Sequence, residues 1–453
     1  MINTAQIVAK ICLTGNIKTA SPLLIGSGKE EKAGTKEVDT YVLKDKNEQP
    51  FIPGTSLAGV LRHLFNGSPA QELFGYITDK TTDDGVQSAV AIDDILLENA
   101  TIVSRDGVSI DTYTGTTIQG GKYDYEAVDR GATGTLSMVI TIRQHHVDTL
   151  PSVYTDIRRI ADLLASGAVH VGALTAKGFG KLSFKNVKVI TYDFTNPADV
   201  AAWLLRKPAT NTYTGQDISA IRKNTFVIEG DFALRTSLLV RNGDVSKDDR
   251  DAKIHATPLL SGKDYVIPGT SLKGALRHRA AYILRTLGKD ETLLHNLMGF
   301  SDKQTKQKSR FMTDEIYFKQ GVTEAKQTRN AIDRFTGSTM DSKLFAEKAL
   351  WQKEKGKPVL HIRYQIADCK PWEAGLALFL LKDLWTGRLA LGGDVAVGRG
   401  YVSGIAGTIT YADGEEHTQT WTLDAKGCVT AGAATTLDTF AQALADWKGD
   451  EAK

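Results

Sequence analysis

The chain has 453 residues, of which 42% are hydrophobic and 24% are charged, a balance typical of a soluble globular protein. The formal net charge is only +2, so the composition does not favour a nucleic-acid partner, and any RNA-binding surface has to be local. There is no run of 18 apolar residues, no visible secretory signal and no CxxC pair among the three cysteines, which together predict a protein of the reducing cytoplasm without a membrane span.

A twelve-residue string occurs twice in the chain. Ile52–His63 and Ile267–His278 lie 215 positions apart and are identical at ten of twelve positions. Five landmarks, this string included, recur in the same order with offsets between 215 and 224. Such a period is far longer than that of a solenoid repeat. The sequence therefore predicts two tandem domains, residues 1–210 and residues 222–453.

The same order of elements is predicted in both copies. The first copy has a strand at 6–13, a helix after Pro53, an insertion at 112–133, a helix at 153–166 and a strand at 181–191. The second copy has a strand at 226–234, a helix after Pro268, an insertion at 334–356, a helix at 372–386 and strands at 401–411. This order predicts an α+β fold with a ferredoxin-like core in each copy, and a terminal helix is expected around 437–447.

The repeated helix begins with the residues Pro-Gly-Thr-Ser in both copies. Thr55 or Ser56 is a good helix N-cap, and Thr270 and Ser271 repeat them. The free N–H groups and the positive end of the helix dipole favour an anion at such a start. These hydroxyls therefore either cap the helix or contact a phosphate.

Cations follow on the side of this helix opposite its apolar stripe. Arg62 lies there in the first copy, and Lys273 and Arg277, four residues apart, share a face in the second. Because phosphates are bound by cations together with N–H donors, these three side chains are candidate RNA contacts on an exposed face. Ala58 stands where the second copy has Lys273, which weakens the first copy's contacts.

A glycine loop recurs near the end of each copy. Glycine allows a ligand to approach the backbone closely, although a tight turn explains a single loop equally well. The candidate RNA-binding residues of the two loops are Lys177, Gly178 and Gly180, and Gly398, Arg399 and Gly400.

Adjacent His145 and His146 lack a nearby ligand at metal-binding spacing and are expected at an exposed strand end.

Together, the Pro-Gly-Thr-Ser-Leu helix with its Leu-Arg, the Leu-Phe-Gly after it and the terminal glycine loop resemble the RAMP superfamily of CRISPR-associated proteins, twice and over nearly the whole chain. Within it the chain is most similar to the backbone subunits of type III effector complexes, in a fused double-domain form such as type III-D systems carry. The resemblance implies antiviral defence, with guide RNA, target RNA and other effector subunits of a filament as partners. It also implies guide contacts at Gly26, the helix start and the glycine loop, and RNA-kinking thumbs at 112–133 and 334–356.

The resemblance further implies a catalytic aspartate between the first glycine and the repeated helix, working with Mg²⁺ or another divalent metal as an endoribonuclease. Asp39 occupies that position in the first copy. In the second copy Ile254 aligns with Asp39, and Asp251, in a cluster just upstream, is the candidate substitute.

Two other functions remain open at this point. The chain could be a non-catalytic RNA-binding scaffold, which Asp39→Ala would leave unaffected. It could also be a guide-processing endonuclease that uses His63 and His278 as general acid and base, although their place beside the apolar stripe favours a structural role.

Overall fold

The structure is a computed structural model of the chain. It describes residues 5–448, except 29–37, 66–67, 80–83, 112–113, 151, 219–223, 244, 302–304 and 414–416. The chain forms two compact units. Unit 1 comprises Met1–Arg105, Tyr123–Thr175 and Phe179–Ala220, and unit 2 comprises Asp106–Lys122, Ala176–Gly178 and Ile221–Lys453.

The first copy contains eleven strands and five helices in its described part. In chain order they are β1 (Ile7–Thr19), β2 (Phe51–Ile52), α1 (Gly54–Arg62), α2 (Ser68–Phe74), β3 (Tyr76–Asp79), β4 (Asp84–Val86), β5 (Val90–Ile92), β6 (Ile95–Leu96), β7 (Ile102–Ile110), β8 (Thr117–Val128), β9 (Thr133–Arg143), α3 (Gln144–Thr149), α4 (Val153–Ala165), β10 (Leu182–Asp193), α5 (Pro197–Leu204) and β11 (Asn211–Thr214).

The second copy follows the same plan with additions at its end. Its described elements are β12 (Thr225–Leu234), α6 (Lys247–Asp251), β13 (Ile254–Ala256), β14 (Leu260–Ser261), β15 (Asp264–Ile267), α7 (Gly269–Thr286), α8 (Leu293–Met298), β16 (Phe300–Ser301), β17 (Lys306–Gln307), β18 (Phe311–Thr313), β19 (Ile316–Tyr317), β20 (Val322–Ile332), β21 (Thr339–Gln352), β22 (Leu360–Ile366), α9 (Pro371–Trp385), β23 (Val402–Ala412), β24 (Thr418–Leu423), β25 (Val429–Ala431) and α10 (Ala434–Asp446).

Both central sheets have the ferredoxin-like strand order. In the first, the antiparallel order is β10-β1-β9-β5, with β11 added at the β10 edge; in the second it is β23-β12-β22-β18, with β24 and β25 added at the β23 edge. The chain order strand, helix, strand, strand, helix, strand is the βαββαβ plan, with α1 and α4 as the helices of the first copy and α7 and α9 as those of the second. The predicted α+β, ferredoxin-like fold class is confirmed.

Alternating side chains explain why β1 becomes a central strand. Ile11, Leu13 and Ile17 point into the core and are at most 2% exposed, whereas Thr14 and Lys18 on the alternate positions are exposed. This period of two gives the sheet one apolar face. That face packs on buried residues of α1 and α4, and the equivalent face of the second sheet packs on α7 and α9.

The predicted helix caps are wrong, because the observed N-cap of α1, Pro53, lies two residues before Thr55 and three before Ser56. Pro53 and Pro268 occupy the N-cap positions of α1 and α7, and no side chain caps either helix. Thr55 and Ser56 therefore lie inside the first turn. The N–H of Gly54 instead donates to Asp94 Oδ1 at 2.8 Å.

The two predicted insertions are β-hairpins that extend beyond the expected ranges. β7 and β8 pair in the first copy, and β20 pairs with β21 in the second. Residues 112–113, at the start of the first predicted insertion, lie outside the described residues. None of the described helices is long and apolar enough to span a bilayer.

Candidate RNA-binding and cleavage site

Asp39 lies on the surface of unit 1 and is attached to the inserted hairpin. Its N–H donates to the carbonyl oxygen of Asp124 in β8 at 2.8 Å, and its Oδ2 accepts the N–H of Asp124 at 3.0 Å. The next residue, Thr40, pairs in parallel with Tyr125. The carboxyl group is thus exposed yet held in a defined orientation, which is what a positioned catalytic group requires.

Several predicted site segments of the first copy meet around this aspartate. Gly26 bridges to Val42, three residues after Asp39. The ring of Tyr125 lies 6.0 Å from that of Phe179, which stands between the two candidate glycines of the loop. Gly26, Asp39, Tyr125 and Phe179 are therefore brought near one another within unit 1.

The second glycine of each loop is required by packing. Gly180 has φ +73°, and a Cβ there would lie 2.0 Å from the carbonyl oxygen of Val171. Gly400 has φ +85°, and its Cβ would lie 2.0 Å from the carbonyl oxygen of Leu391. These two glycines allow two backbone segments to touch, so the fold alone accounts for them.

Gly178 and Gly398 differ from each other although they occupy the same position of the loop. Both have φ +88°, but a Cβ on Gly178 would lie 2.6 Å from the backbone nitrogen of Glu315 in unit 2, whereas a Cβ on Gly398 would meet no atom within 4 Å. Gly178 belongs to unit 2 and is buried there, and Gly398 is exposed. Only the second loop leaves open space for a ligand at this position.

The start of α1 is already occupied by an anion from the protein. Because Asp94 accepts the N–H of Gly54, a phosphate at this helix end has to compete with a carboxylate. Thr55 is exposed, whereas Thr270 and Ser271 at the start of α7 are half-buried. The three hydroxyl groups are thus not equally accessible to RNA.

Lys273 is not on an exposed face, which corrects the expectation from the sequence. It is 6% exposed and donates to Ser309 Oγ at 2.6 Å and to the carbonyl oxygen of Phe311 at 2.8 Å. Its burial, together with the positive charges of Lys177 and Arg277, lowers its pKa to about 7. The three cations form a cluster within unit 2, since Ala176–Gly178 belong to that unit.

The other two cations of the cluster keep more contact with solvent. Burial is the main cause that lowers the pKa of Lys177, and the Arg277 charge lowers it further; burial also lowers the pKa of Arg277. Arg277 donates to the carbonyl oxygen of Gly299 at 2.9 Å. Cations that repel one another favour an anion in their midst, so the cluster suits a phosphate approaching Lys177 and Arg277.

Arg62, the equivalent of Arg277, lies in a different setting. It is half-buried at the end of α1. It lines an open surface cleft together with Gln71, Phe74, Gly75, Tyr76, Ile77 and Val86. The structure therefore does not join Arg62 to a cluster like that of the second copy.

Arg399 is also buried, contrary to the expectation that the second glycine loop presents a cation. It is 2% exposed and lies 3.0 Å from Glu347 and 2.8 Å from Asp394. Arg241 and Arg329 bind the same two carboxylates. Arg399 is thus a structural residue of an ion-pair network that links the glycine loop to β21.

The first copy has an apolar cluster where the second has this network. Leu174, Tyr125 and Phe179 correspond to Asp394, Glu347 and Arg399, and they pack together. Arg105 of β7, which corresponds to Gln327, is 4% exposed, and its three guanidinium nitrogens have no hydrogen-bond acceptor among the described residues. Arg105 could not be singled out from the sequence, since only its alignment with Gln327 distinguishes it from other arginines.

The second copy has no carboxylate at the position of Asp39. Ile254 pairs in parallel with Ala346 of β21 and is 5% exposed. Asp251 is the last residue of α6, three positions earlier in the chain. Its neighbour Asp249 is engaged by Lys348 at 2.7 Å. A catalytic role for Asp251 stays a prediction.

The histidine pair is not at an exposed strand end. His146 is 3% exposed, and its Nδ1 accepts the N–H of Arg143 at 3.0 Å. Burial is the main cause that lowers its pKa to about 4. Glu72, His145 and His146 have potential ligand atoms within 4.8 Å of one another; the bond from Arg143 occupies Nδ1 of His146 and leaves its Nε2. His146 therefore caps the start of α3 by accepting the N–H of the N-cap residue Arg143.

Alanine substitution should reduce folding stability by different amounts at the two glycines of the second loop. Gly400→Ala should destabilise unit 2 by several kcal/mol, because its Cβ meets a backbone oxygen. Gly398→Ala should cost only the strain of the positive φ, about 1 kcal/mol. Urea unfolding of both variants measures the difference. Equal losses would contradict the packing role of Gly400.

The buried amine of Lys273 should make stability depend on pH. The pKa of this amine is lowered from 10.5 to about 7 in the folded state. Burial of the charged amine therefore destabilises the fold fully below about pH 7, and this destabilisation fades as the pH rises toward the pKa of the unfolded chain. Relative to Lys273→Met, the wild type should gain stability between about pH 7 and pH 9 in urea unfolding. Lys263→Met, at an exposed lysine of the same unit, is the control. A constant difference between wild type and Lys273→Met would contradict this account.

The comparison with known families agrees with the tandem architecture. The model of the RAMP superfamily matches residues 16–183 and 231–403, one segment in each copy. The two segments cover about three quarters of the chain. No curated protein matches the chain significantly. The chain therefore belongs to the RAMP superfamily of CRISPR-associated RNA-binding proteins, and it carries two RAMP domains in tandem.

Proposed function

We propose that the chain is a backbone subunit of a type III CRISPR effector complex, which binds guide RNA with both copies and cuts paired target RNA with the first. The observation that carries the proposal is an exposed aspartate held on the inserted hairpin of a RAMP domain. Asp39 has this arrangement in unit 1, where its backbone and its carboxylate both bond to Asp124. Guide RNA, target RNA and other effector subunits are the partners that the proposal requires.

The RNA contacts are proposed to be made to the phosphate backbone. The net charge of +2 leaves little general attraction for RNA, so local cations have to supply it. Lys177 and Arg277 form such a local group beside the buried Lys273. Backbone contacts carry no sequence information, which fits a subunit whose specificity comes from base pairing between guide and target.

The site around Asp39 fits a magnesium ion with few protein ligands. Mg²⁺ usually takes one or two carboxylates and completes its shell with water and phosphate oxygens. Asp39 would supply the carboxylate, with Asp124 beside it. When bound, the ion would stabilise charge that develops on the scissile phosphate. The bond from the Asp124 N–H holds the exposed carboxylate of Asp39 in place.

The second copy is proposed to bind RNA in the same way, with Asp251 as its candidate catalytic residue. Ile254 removes the carboxylate from the position that Asp39 occupies in the first copy. Asp251, at the end of α6, is the member of the upstream cluster nearest to Ile254 in sequence. Activity of the second copy therefore needs its own test.

Substitution of Asp39 tests the proposed cleavage. Asp39→Asn keeps an oxygen that accepts the Asp124 N–H but removes the charge. In the assembled complex with guide RNA, labelled complementary target and Mg²⁺, one cleavage position should weaken by about a hundredfold or more, while target binding persists. Asp39→Ala should behave likewise. The control is Asp438→Ala, at an exposed aspartate of α10, which should cut like wild type.

The same gel distinguishes the other outcomes. Loss of a second cleavage position in Asp251→Ala would assign activity to the second copy. An unchanged pattern in Asp39→Asn would contradict the nuclease assignment and leave a scaffold. Metal-independent cleavage of repeat RNA by the free protein would favour a guide-processing enzyme. His63 and His278, its candidate residues, are exposed rather than packed in the apolar stripe.

A further inference from the structure

The sheet of unit 1 has an outer face that turns away from α1 and α4. We define this outer face by the alternate residues of β10, β1 and β9 whose neighbours in the strand point into the core. Cross-strand register sorts them into five rows of three. The rows are Tyr192, Lys10 and Thr141; Ile190, Cys12 and Val139; Lys188, Thr14 and Ser137; Lys185, Asn16 and Thr135; and Ser183, Lys18 and Thr133.

These fifteen positions contain four lysines and no carboxylate. Lys18, Lys185 and Lys188 are exposed, and no described residue is hydrogen-bonded or ion-paired to them. Most of the remaining side chains in their rows are hydroxyl or amide groups. The outer face is therefore a cationic, hydrogen-bonding surface in a chain whose net charge is nearly zero.

The three exposed lysines lie in three successive rows of the outer face, with Lys188 and Lys185 on β10 and Lys18 on the neighbouring strand β1. Lys188 lies beside Thr14, Lys185 lies beside Asn16, and Lys18 follows two residues later along β1. Two residues of a strand span about 7 Å. The charges are thus evenly spaced along the strand direction, as contacts to the successive phosphates of an extended strand would be.

An aromatic side chain lies beside Lys10, two rows from Lys188 on the same face. Lys10 donates to Thr141 Oγ1 at 2.6 Å, and its Nζ lies 5.8 Å from the ring centre of Trp203 in α5. Trp203 is half-buried and packs on Tyr192. Proteins that bind single-stranded nucleic acid without sequence preference combine a cationic track with such aromatic platforms.

The equivalent face of the second sheet carries a different set of side chains. Glu229 and Asp231 replace Thr14 and Asn16 there. Asp231 lies 3.0 Å from Lys319 and 3.0 Å from His361, and His361 lies 3.4 Å from Glu229. The charges of the second face are paired within the protein. The ferredoxin-like fold therefore does not require lysines on this surface.

We propose that the outer face of unit 1 binds the phosphate backbone of single-stranded RNA. The unpaired charges, their spacing and the hydroxyl and amide groups around them suit an extended polyanion, whereas a stable protein interface needs an apolar centre. The apolar row of this face, Ile190, Cys12 and Val139, is half-buried and lies next to the row that Trp203 of α5 contacts, outside the three rows of the exposed lysines. None of the residues of this surface is among those proposed for guide binding or cleavage. It adds a second RNA-binding track to the chain and stands whether or not Asp39 cuts.

The second copy supplies the substitutions that test this surface. Ala406 and Thr408 occupy the positions of Lys185 and Lys188, so the fold accepts Ala and Thr there. Lys185→Ala/Lys188→Thr should weaken binding of the full chain to a fluorescein-labelled oligouridine by about threefold to tenfold in fluorescence anisotropy. The slope of log affinity against log salt should fall by about 1.4, because each lost phosphate contact in a single strand contributes about 0.7.

A matched control removes the same charge elsewhere. Lys263→Ala/Lys426→Ala deletes two exposed lysines of unit 2, and it should leave the salt slope at the wild-type value. The milder pair Lys185→Gln/Lys188→Gln repeats the test if Ala and Thr impair folding, which circular dichroism monitors. Equal affinities and slopes for the sheet variants and the control would overturn the proposal. The proposal would also be overturned if the sheet variants lost binding to an acidic protein while their binding to RNA stayed unchanged.

Discussion

Each copy depends on one backbone crossing that only glycine permits. Gly180 and Gly400 bring the glycine loop within reach of the segment that follows the central strand, where their N–H groups donate to Pro22 and Ser237 at 2.7 Å. A Cβ at either glycine would lie 2.0 Å from a carbonyl oxygen of the same loop. This crossing anchors the loop at the end of the central strand, so the recurrence of these glycines reflects folding before it reflects RNA.

Around this common crossing the two copies have diverged in chemistry. The second copy fills the space beside its loop with buried ion pairs centred on Glu347 and Asp394, and it has a buried isoleucine where the first has Asp39. The first copy has aromatic and aliphatic residues in that space, a buried Arg105 and an exposed carboxylate. In the described residues, the charges beside the second loop are thus paired within the protein, whereas the first copy has an exposed carboxylate near an apolar cluster. This difference agrees with the proposal that cleavage is centred on the first copy.

The sequence predicts the architecture well because the signals are local. The repeated string, the period of two in β1 and the glycine loops each depend on residues within a few positions, and they determine the ferredoxin-like plan. The surroundings of single charges are not local. Lys273 is bonded to Ser309, and Arg399 to Glu347, 36 and 52 positions away, so a face that looks exposed on a helical wheel or in a loop becomes buried. Glu72 reaches the histidine pair in the same way. Asp39 was predictable as a surface aspartate, but its bond to Asp124 depends on how the inserted hairpin folds back.

As proposed, both copies hold one guide RNA. The direct test reconstitutes the complex with guides that carry one photoreactive 4-thiouridine at successive positions, followed by crosslinking and mass spectrometry. We expect crosslinks to both glycine loops, with the nucleotides that reach the second copy displaced by a constant number from those that reach the first. Crosslinks confined to one copy, or without a constant displacement, would contradict it.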